Sequence, residues 1–278
     1  MRADHREQLL KGLEADERRL ELDGISTNLL EAGAGPPLIL VHGGIECGGI
    51  YWAPVIPALA ARHRVVVPDV PGLGESAPAG RLNAVAFGSW LRALIAATCE
   101  RAPAVIAHSL LGTLAGRFAV DSGAALSRLT IYGAPGIGDY RMPLRLRWLA
   151  IRFGLRPNEA NAERFERFAL LDLDRTRDRD PSWYDAFSAY TTARARIPHV
   201  KRTMRNLIGA GTERIPDAAL ARIGAPVTVL WGAGDRMVPV APAREASERF
   251  GWSLRLVDGA AHVPHIEQPE RFIEEVLT

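Results

Sequence analysis

The chain has 278 residues, 47% of them hydrophobic and 24% charged. Those are the proportions of an ordinary soluble globular protein, and the length suffices to bury a core without metals or disulfides. A formal net charge of +2 is too small to imply nucleic acid or an anionic membrane as partner. Two distant cysteines, Cys47 and Cys99, make neither a zinc spacing nor a disulfide framework, and read as reduced thiols of a cytoplasmic protein.

The first twenty residues are dense in charge and lack the apolar stretch of a signal peptide. No apolar run approaches the roughly 20 residues of a membrane span. Residues Glu7 to Leu20 read as a short charged helix. Two strand-like stretches follow, Arg19–Leu22 and Ser26–Glu31, joined by the tight-turn pair Asp23-Gly24 into a hairpin at a sheet edge. The pattern then changes to runs that are apolar throughout: Pro37–Val41, Arg64–Val67, Ala104–Ala107, Leu129–Tyr132 and Val227–Trp231. Strands apolar on both faces suit a parallel sheet covered on both sides. Helical stretches separate most of them: Trp52–Arg62, Asn83–Glu100, Leu110–Asp121 and Ala243–Phe250. A strand at Leu254–Val257 and a helix at Pro269–Leu277 close the chain. The expected fold is therefore α/β, a doubly wound and mostly parallel sheet of about eight strands with helices on both faces. Residues 138–213 break the rhythm. They contain no strand-like run, carry aromatics at helical spacing and hold more basic than acidic residues. They read as a helical insertion into a core formed by residues 1–137 and 214–278.

Several segments carry chemistry. Ser109 lies where a buried strand gives way to a helix, in Ala107-His108-Ser109-Leu110-Leu111-Gly112. A side chain on such a turn stands above the sheet edge with free helix N–H groups behind it. Read alone, it is equally a helix N-cap. His42-Gly43-Gly44-Ile45 follows the strand Pro37–Val41, and is otherwise a glycine turn. Gly72-x-Gly74-x-x-Ala77 superficially fits a dinucleotide-binding loop, but Pro78, Ala79 and Gly80 delay the helix such a loop must open into. Asp235 sits in a glycine turn after the strand Val227–Trp231. His262 lies in Gly259-Ala260-Ala261-His262-Val263-Pro264-His265-Ile266-Glu267-Gln268-Pro269. The spacing of His262, His265 and Glu267 matches no standard metal-ligand pattern, so no metal is expected.

In combination these segments resemble the α/β-hydrolase superfamily in a serine-nucleophile, cap-bearing form, from about Arg19 to Thr278. The chain order serine, aspartate, histidine is that of the superfamily. The resemblance implies Ser109 as nucleophile, His262 as general base and Asp235 as the acid that orients it. It implies an oxyanion hole from the N–H groups of Gly44 and Leu110. It implies a structural role for the Asp69–Ser76 stretch, a cap formed by residues 138–213, and substrate contacts from Gly43, Ile45, Trp52, His108 and Val263. The elbow departs from Gly-x-Ser-x-Gly at Ala107 and at Leu111, where a small residue normally stands. The expected function is hydrolysis of a small or medium apolar ester or lactone through an acyl-enzyme, with no cofactor. Carbon–carbon bond hydrolysis, thioesterase or acyl transferase activity by the same triad are the alternatives. Val263 stands where many carbon–carbon hydrolases have Trp. A non-catalytic ligand-binding protein on this scaffold is the alternative of another class. The expected partner is a small-molecule substrate, with no nucleic acid and no membrane span; oligomeric state is left open.

Overall fold

The computed structural model describes residues 2–277. Its elements are α1 (Arg2–Leu10), β1 (Asp16–Leu22), β2 (Ile25–Ala32), β3 (Pro37–Val41), α2 (Ile56–Ala60), β4 (Arg64–Pro68), α3 (Ala84–Thr98), β5 (Ala104–His108), α4 (Ser109–Ser122) and β6 (Arg128–Tyr132). Five helices then run without a strand: α5 (Leu144–Leu155), α6 (Glu159–Ala169), α7 (Leu173–Arg179), α8 (Pro181–Ala195) and α9 (Pro198–Thr212). The short α10 (Asp217–Leu220) leads back to β7 (Val227–Gly232), α11 (Ala241–Phe250), β8 (Ser253–Val257), α12 (Pro264–Glu267) and α13 (Pro269–Leu277). Among the described residues no helix is long and apolar enough to cross a membrane.

The eight strands form one sheet in the order β1-β2-β4-β3-β5-β6-β7-β8. β1 and β2 pair antiparallel with their neighbours and every other pairing is parallel. The apolar runs are continuous because both faces of the central strands are covered. In β3, Ile39 and Val41 enter the core under α3 and α4, while Leu38 and Leu40 enter the one on the opposite face. β3 sits between β4 and β5, so the chain leaves β3 in one direction along the sheet and β5 in the other. The loops that follow these two strands therefore diverge from a shared edge and leave a crevice between them, the place where open α/β sheets bind ligands.

Two expected helices are corrected. The charged segment Glu7–Leu20 is not one helix: α1 ends at Leu10, Gly12 takes a left-handed turn at φ +78°, and Asp16–Leu22 is an edge strand. Its charges serve that edge, since Arg18 bonds Glu31 of β2 at 2.6 Å, and charged side chains discourage pairing with another chain. The Trp52–Arg62 helix is reduced to a 3-10 turn at Gly48–Trp52 and the five-residue α2, because Pro54 and Pro57 supply no N–H to a continuous helix. The hairpin turn forms as expected, with Asp23 and Gly24 at φ +51° and +73°, the pair of left-handed residues that a two-residue turn between twisted strands requires.

The loop after β4 is held by one buried carboxylate. Asp69 accepts from the N–H of Gly49 at 2.5 Å, the N–H of Glu75 at 2.8 Å and the side chain of Asn28 at 3.2 Å. Gly48 and Gly74 crowd it so closely that a Cβ on either would fall 2.2 or 2.3 Å from its carboxyl group.

Candidate active site

Ser109 follows β5 directly and has φ +52°, a left-handed conformation that few residues other than glycine adopt. That turn reverses the chain from strand to helix within one residue and stands the side chain up at the carboxyl edge of the sheet. The strain is tolerated because both sides are over-determined. β5 is hydrogen-bonded between β3 and β6, and α4 is clamped against the sheet at Gly112. A Cβ on Gly112 would lie 2.8 Å from the carbonyl oxygen of Ala107. The close approach expected of the second motif glycine is thus made one residue later. Leu111 points instead into the core under α3 and α4 and is fully buried.

His262 and Asp235 meet Ser109 at this edge. His262 Nε2 is 3.0 Å from Ser109 Oγ, and His262 Nδ1 is 2.8 Å from Asp235 Oδ2. The other carboxylate oxygen of Asp235 accepts from the N–H groups of Met237 and Val238 at 2.8 and 3.0 Å. With Nδ1 donating to the carboxylate, Nε2 is left as the acceptor of the Ser109 hydroxyl proton. Asp235 and His262 lie on loops after β7 and β8 that are joined by backbone bonds from Ala233 to Val257 and from Gly234 to Ala260. Gly232 makes that junction possible: a Cβ there would fall 1.8 Å from the carbonyl oxygen of Ala261.

Gly44 and Leu110 also converge. A Cβ on Gly44 would lie 3.5 Å from that of Leu110. The Leu110 N–H is in the first turn of α4, which offers no intrahelical acceptor, and the Gly44 N–H meets no acceptor among the described residues. Two unpaired N–H groups beside a serine oxygen can stabilise an oxyanion.

The other expected substrate contacts divide. Ile45 and Val263 are half-buried beside the core on the α13 face of the sheet. Gly43 lies against the His108 ring, 2.2 Å from Nδ1 if it bore a Cβ. His108 and Trp52 lie deeper, at 2% and 0% exposure. His108 is buried beneath the site, stacked on Tyr132. Its Nε2 is 2.9 Å from the carbonyl oxygen of His262 and its Nδ1 2.9 Å from the Tyr51 hydroxyl. The carbonyl can only accept, so Nε2 carries the proton and Tyr51 donates to Nδ1. Trp52 is fully buried among Tyr132, His265 and Phe272.

Three groups at the site were not legible as such. Glu267 encircles the histidine loop: one oxygen accepts from the N–H groups of Ala261 and Val263 at 2.8 and 3.3 Å, the other from Leu171 at 2.7 Å. Burial raises its pKa against the pull of those N–H groups. The backbone of Ala169, at the end of α6, accepts from the His262 N–H at 3.0 Å. Leu207 of α9 lies over the loop after β3, 2.6 Å from where a Gly44 Cβ would be. Of these, only Glu267 stands in a segment that the sequence itself singles out, Gly259–Pro269. The helical segment thus reaches both Gly44 and the backbone of His262.

Buried neutral histidines underlie the loops. Burial, followed by the neighbouring histidines, holds His108 well below its ordinary pKa, and burial does the same for His265. His42 is pushed down to about 3 by burial, and its Nε2 accepts from the Val70 N–H at 3.1 Å.

The alpha/beta hydrolase family profile matches residues 38–275. The magnesium-chelatase 30 kDa subunit of Rhodobacter capsulatus is 33% identical over 253 residues, covering 83% of this chain and 82% of that protein. A pimeloyl-[acyl-carrier protein] methyl ester esterase of Aeromonas hydrophila is 28% identical over 265 residues, covering 90% and 97%. The crystal structure of carboxylesterase CesB from Bacillus subtilis superposes with a TM-score of 0.85 at 19% identity, covering 99% of this chain and 95% of that one; at that identity it speaks for the fold.

Two measurements test this arrangement. Leu111→Gly restores the family glycine, yet it removes a fully buried leucine. It should cost about 3–6 kcal/mol in urea unfolding, from the lost core contact and the flexible glycine; a neutral or stabilising effect would contradict the packing. His42 stays neutral in the fold down to pH about 3, against an ordinary value of 6.5. Between those values the unfolded chain binds the extra proton. Its stabilising contribution is therefore complete above pH 6.5 and is lost as pH falls toward 3. His42→Gln should shrink the fall in urea midpoint across that window, and an unchanged fall would contradict the assignment.

Proposed function

The chain belongs to the alpha/beta hydrolase family, and on that footing we propose that it is a serine hydrolase acting on a small or medium apolar ester or lactone. The observation that carries this reading is the hydrogen-bonded line from Ser109 Oγ through His262 to Asp235, at 3.0 and 2.8 Å. Ser109 Oγ attacks the carbonyl carbon while its proton passes to His262 Nε2. Asp235 keeps the ring oriented and stabilises the imidazolium that forms. The carbonyl oxygen, now negative, is held by the N–H groups of Gly44 and Leu110. His262 returns the proton to the leaving alcohol, and an acyl-enzyme remains. Water then attacks that ester with His262 as base, releasing the acid and restoring Ser109.

Residues 138–213 act as a cap over a core of residues 1–137 and 214–278. Support for an apolar substrate comes from Leu110, next to the serine in the chain, and Leu207, which meets Gly44. The methyl ester esterase among the relatives is consistent with ester chemistry.

The rival of a non-catalytic binding protein depended on Leu111 distorting the elbow, and its burial in the core away from Ser109 weighs against that. A chain-length series of p-nitrophenyl esters separates the readings. Ser109→Ala should lower kcat/KM by roughly ten-thousandfold or more. Equal rates for wild type and variant would instead assign the scaffold to ligand binding.

A further inference from the structure

The outer face of α5 is unlike the rest of the surface. Leu144, Trp148, Ile151 and Leu155 are 82%, 53%, 53% and 74% exposed. Their spacing of four, three and four places them in one stripe along the helix. The opposite face holds Leu146, Leu149 and Phe153, which are buried. The helix is therefore apolar on two sides, and only one of them is used by the fold. Arginines border the free stripe. Residues 141–156 contain five, Arg141, Arg145, Arg147, Arg152 and Arg156, and no acidic residue. Arg141, Arg147 and Arg156 form no ion pair among the described residues. The Arg152 guanidinium lies over the Trp148 ring, 5.0 Å from its centre.

We propose that α5 docks this protein on an anionic lipid surface, lying in the plane of the interface. An exposed apolar stripe with a tryptophan at its middle, on a segment (141–156) whose only charges are cations, is the composition that buries shallowly among acyl chains while the charges meet headgroup anions. A second copy of this chain is a poorer occupant, because a two-fold contact would set the same arginines against one another. The placement also has a use. The inner face of α5 packs with Met237, whose N–H bonds Asp235. Docking would therefore bring the lipid phase, and apolar esters dissolved in it, beside the site. The docking itself does not depend on the hydrolase reading.

The test is flotation of the full chain with phosphatidylcholine vesicles, with and without phosphatidylglycerol, beside a soluble ester assay. Wild type should float only with the anionic vesicles and should be released by salt. Arg147→Gln should weaken partitioning about fivefold, and Leu144→Ser combined with Leu155→Ser should abolish it. Both variants should keep wild-type thermal unfolding and soluble-ester turnover, since these side chains are outside the core. Failure of wild type to float with either vesicle would overturn the proposal. So would equal flotation with both, flotation by the double serine variant, or a dimer on size exclusion that the double variant dissolves, which would assign the stripe to a second copy. Loss of soluble-ester turnover by Ser109→Ala with flotation intact would separate the two readings of the protein.

Discussion

The site depends on one backbone conformation, the left-handed turn at Ser109. With φ at +52° the chain passes from β5 to α4 without an intervening loop. That sets both the serine oxygen and the first N–H groups of α4 over the same point. An ordinary extended or helical residue there would turn the side chain back into the sheet or lengthen the connection. The cost of such a conformation is of order 1–3 kcal/mol. It is offset by the parallel pairing of β5 on both sides and by the close contact of Gly112 with Ala107. The same contact explains how the elbow accommodates Leu111: the approach between helix and strand is made by the next residue.

The remaining groups are brought to that point by buried polar bonds rather than by packing alone. The His262 loop is gripped from three directions, by Asp235 on the ring, by His108 on the carbonyl and by Ala169 on the N–H. Glu267 ties the residues on either side of it to Leu171. Two of these partners, Ala169 and Leu171, belong to the helical segment between β6 and β7. The helical segment between β6 and β7 is thus part of what holds the His262 loop, and movements of α6 and α7 would be felt at His262. Each of these groups would be costly to leave buried and unpaired, which gives the loop one geometry.

Much of this was legible in the sequence because it follows from short-range rules. The continuous apolar runs identified the central strands, and the glycine-rich ends of β3 and β7 marked the loops that carry Gly44 and Asp235. The failures have physical causes. The charged pattern of Glu7–Leu20 predicts one helix, yet Asp16–Leu22 is strand, because an edge strand can be charged throughout and lose its alternation. The rings of His108 and Trp52 turn toward Tyr51, Tyr132 and Phe272, a packing that their position in the sequence does not announce. Leu207 carries no local signal, because its position over Gly44 is created by the path of α9. A net charge of +2 is a sum over the whole chain and carries no information on local distribution, such as the five arginines without an acidic residue in 141–156.

The central claim is that the Ser109 oxygen is activated by its surroundings, and a fluorophosphonate tests it most directly. Such a reagent modifies a serine only when a base accepts its proton and the oxyanion is held. In the folded protein, mass spectrometry of the digest should place a single adduct on the peptide containing Ser109, and urea-unfolded protein should remain unlabelled. A protein that turns over esters with no adduct on Ser109 would contradict the account.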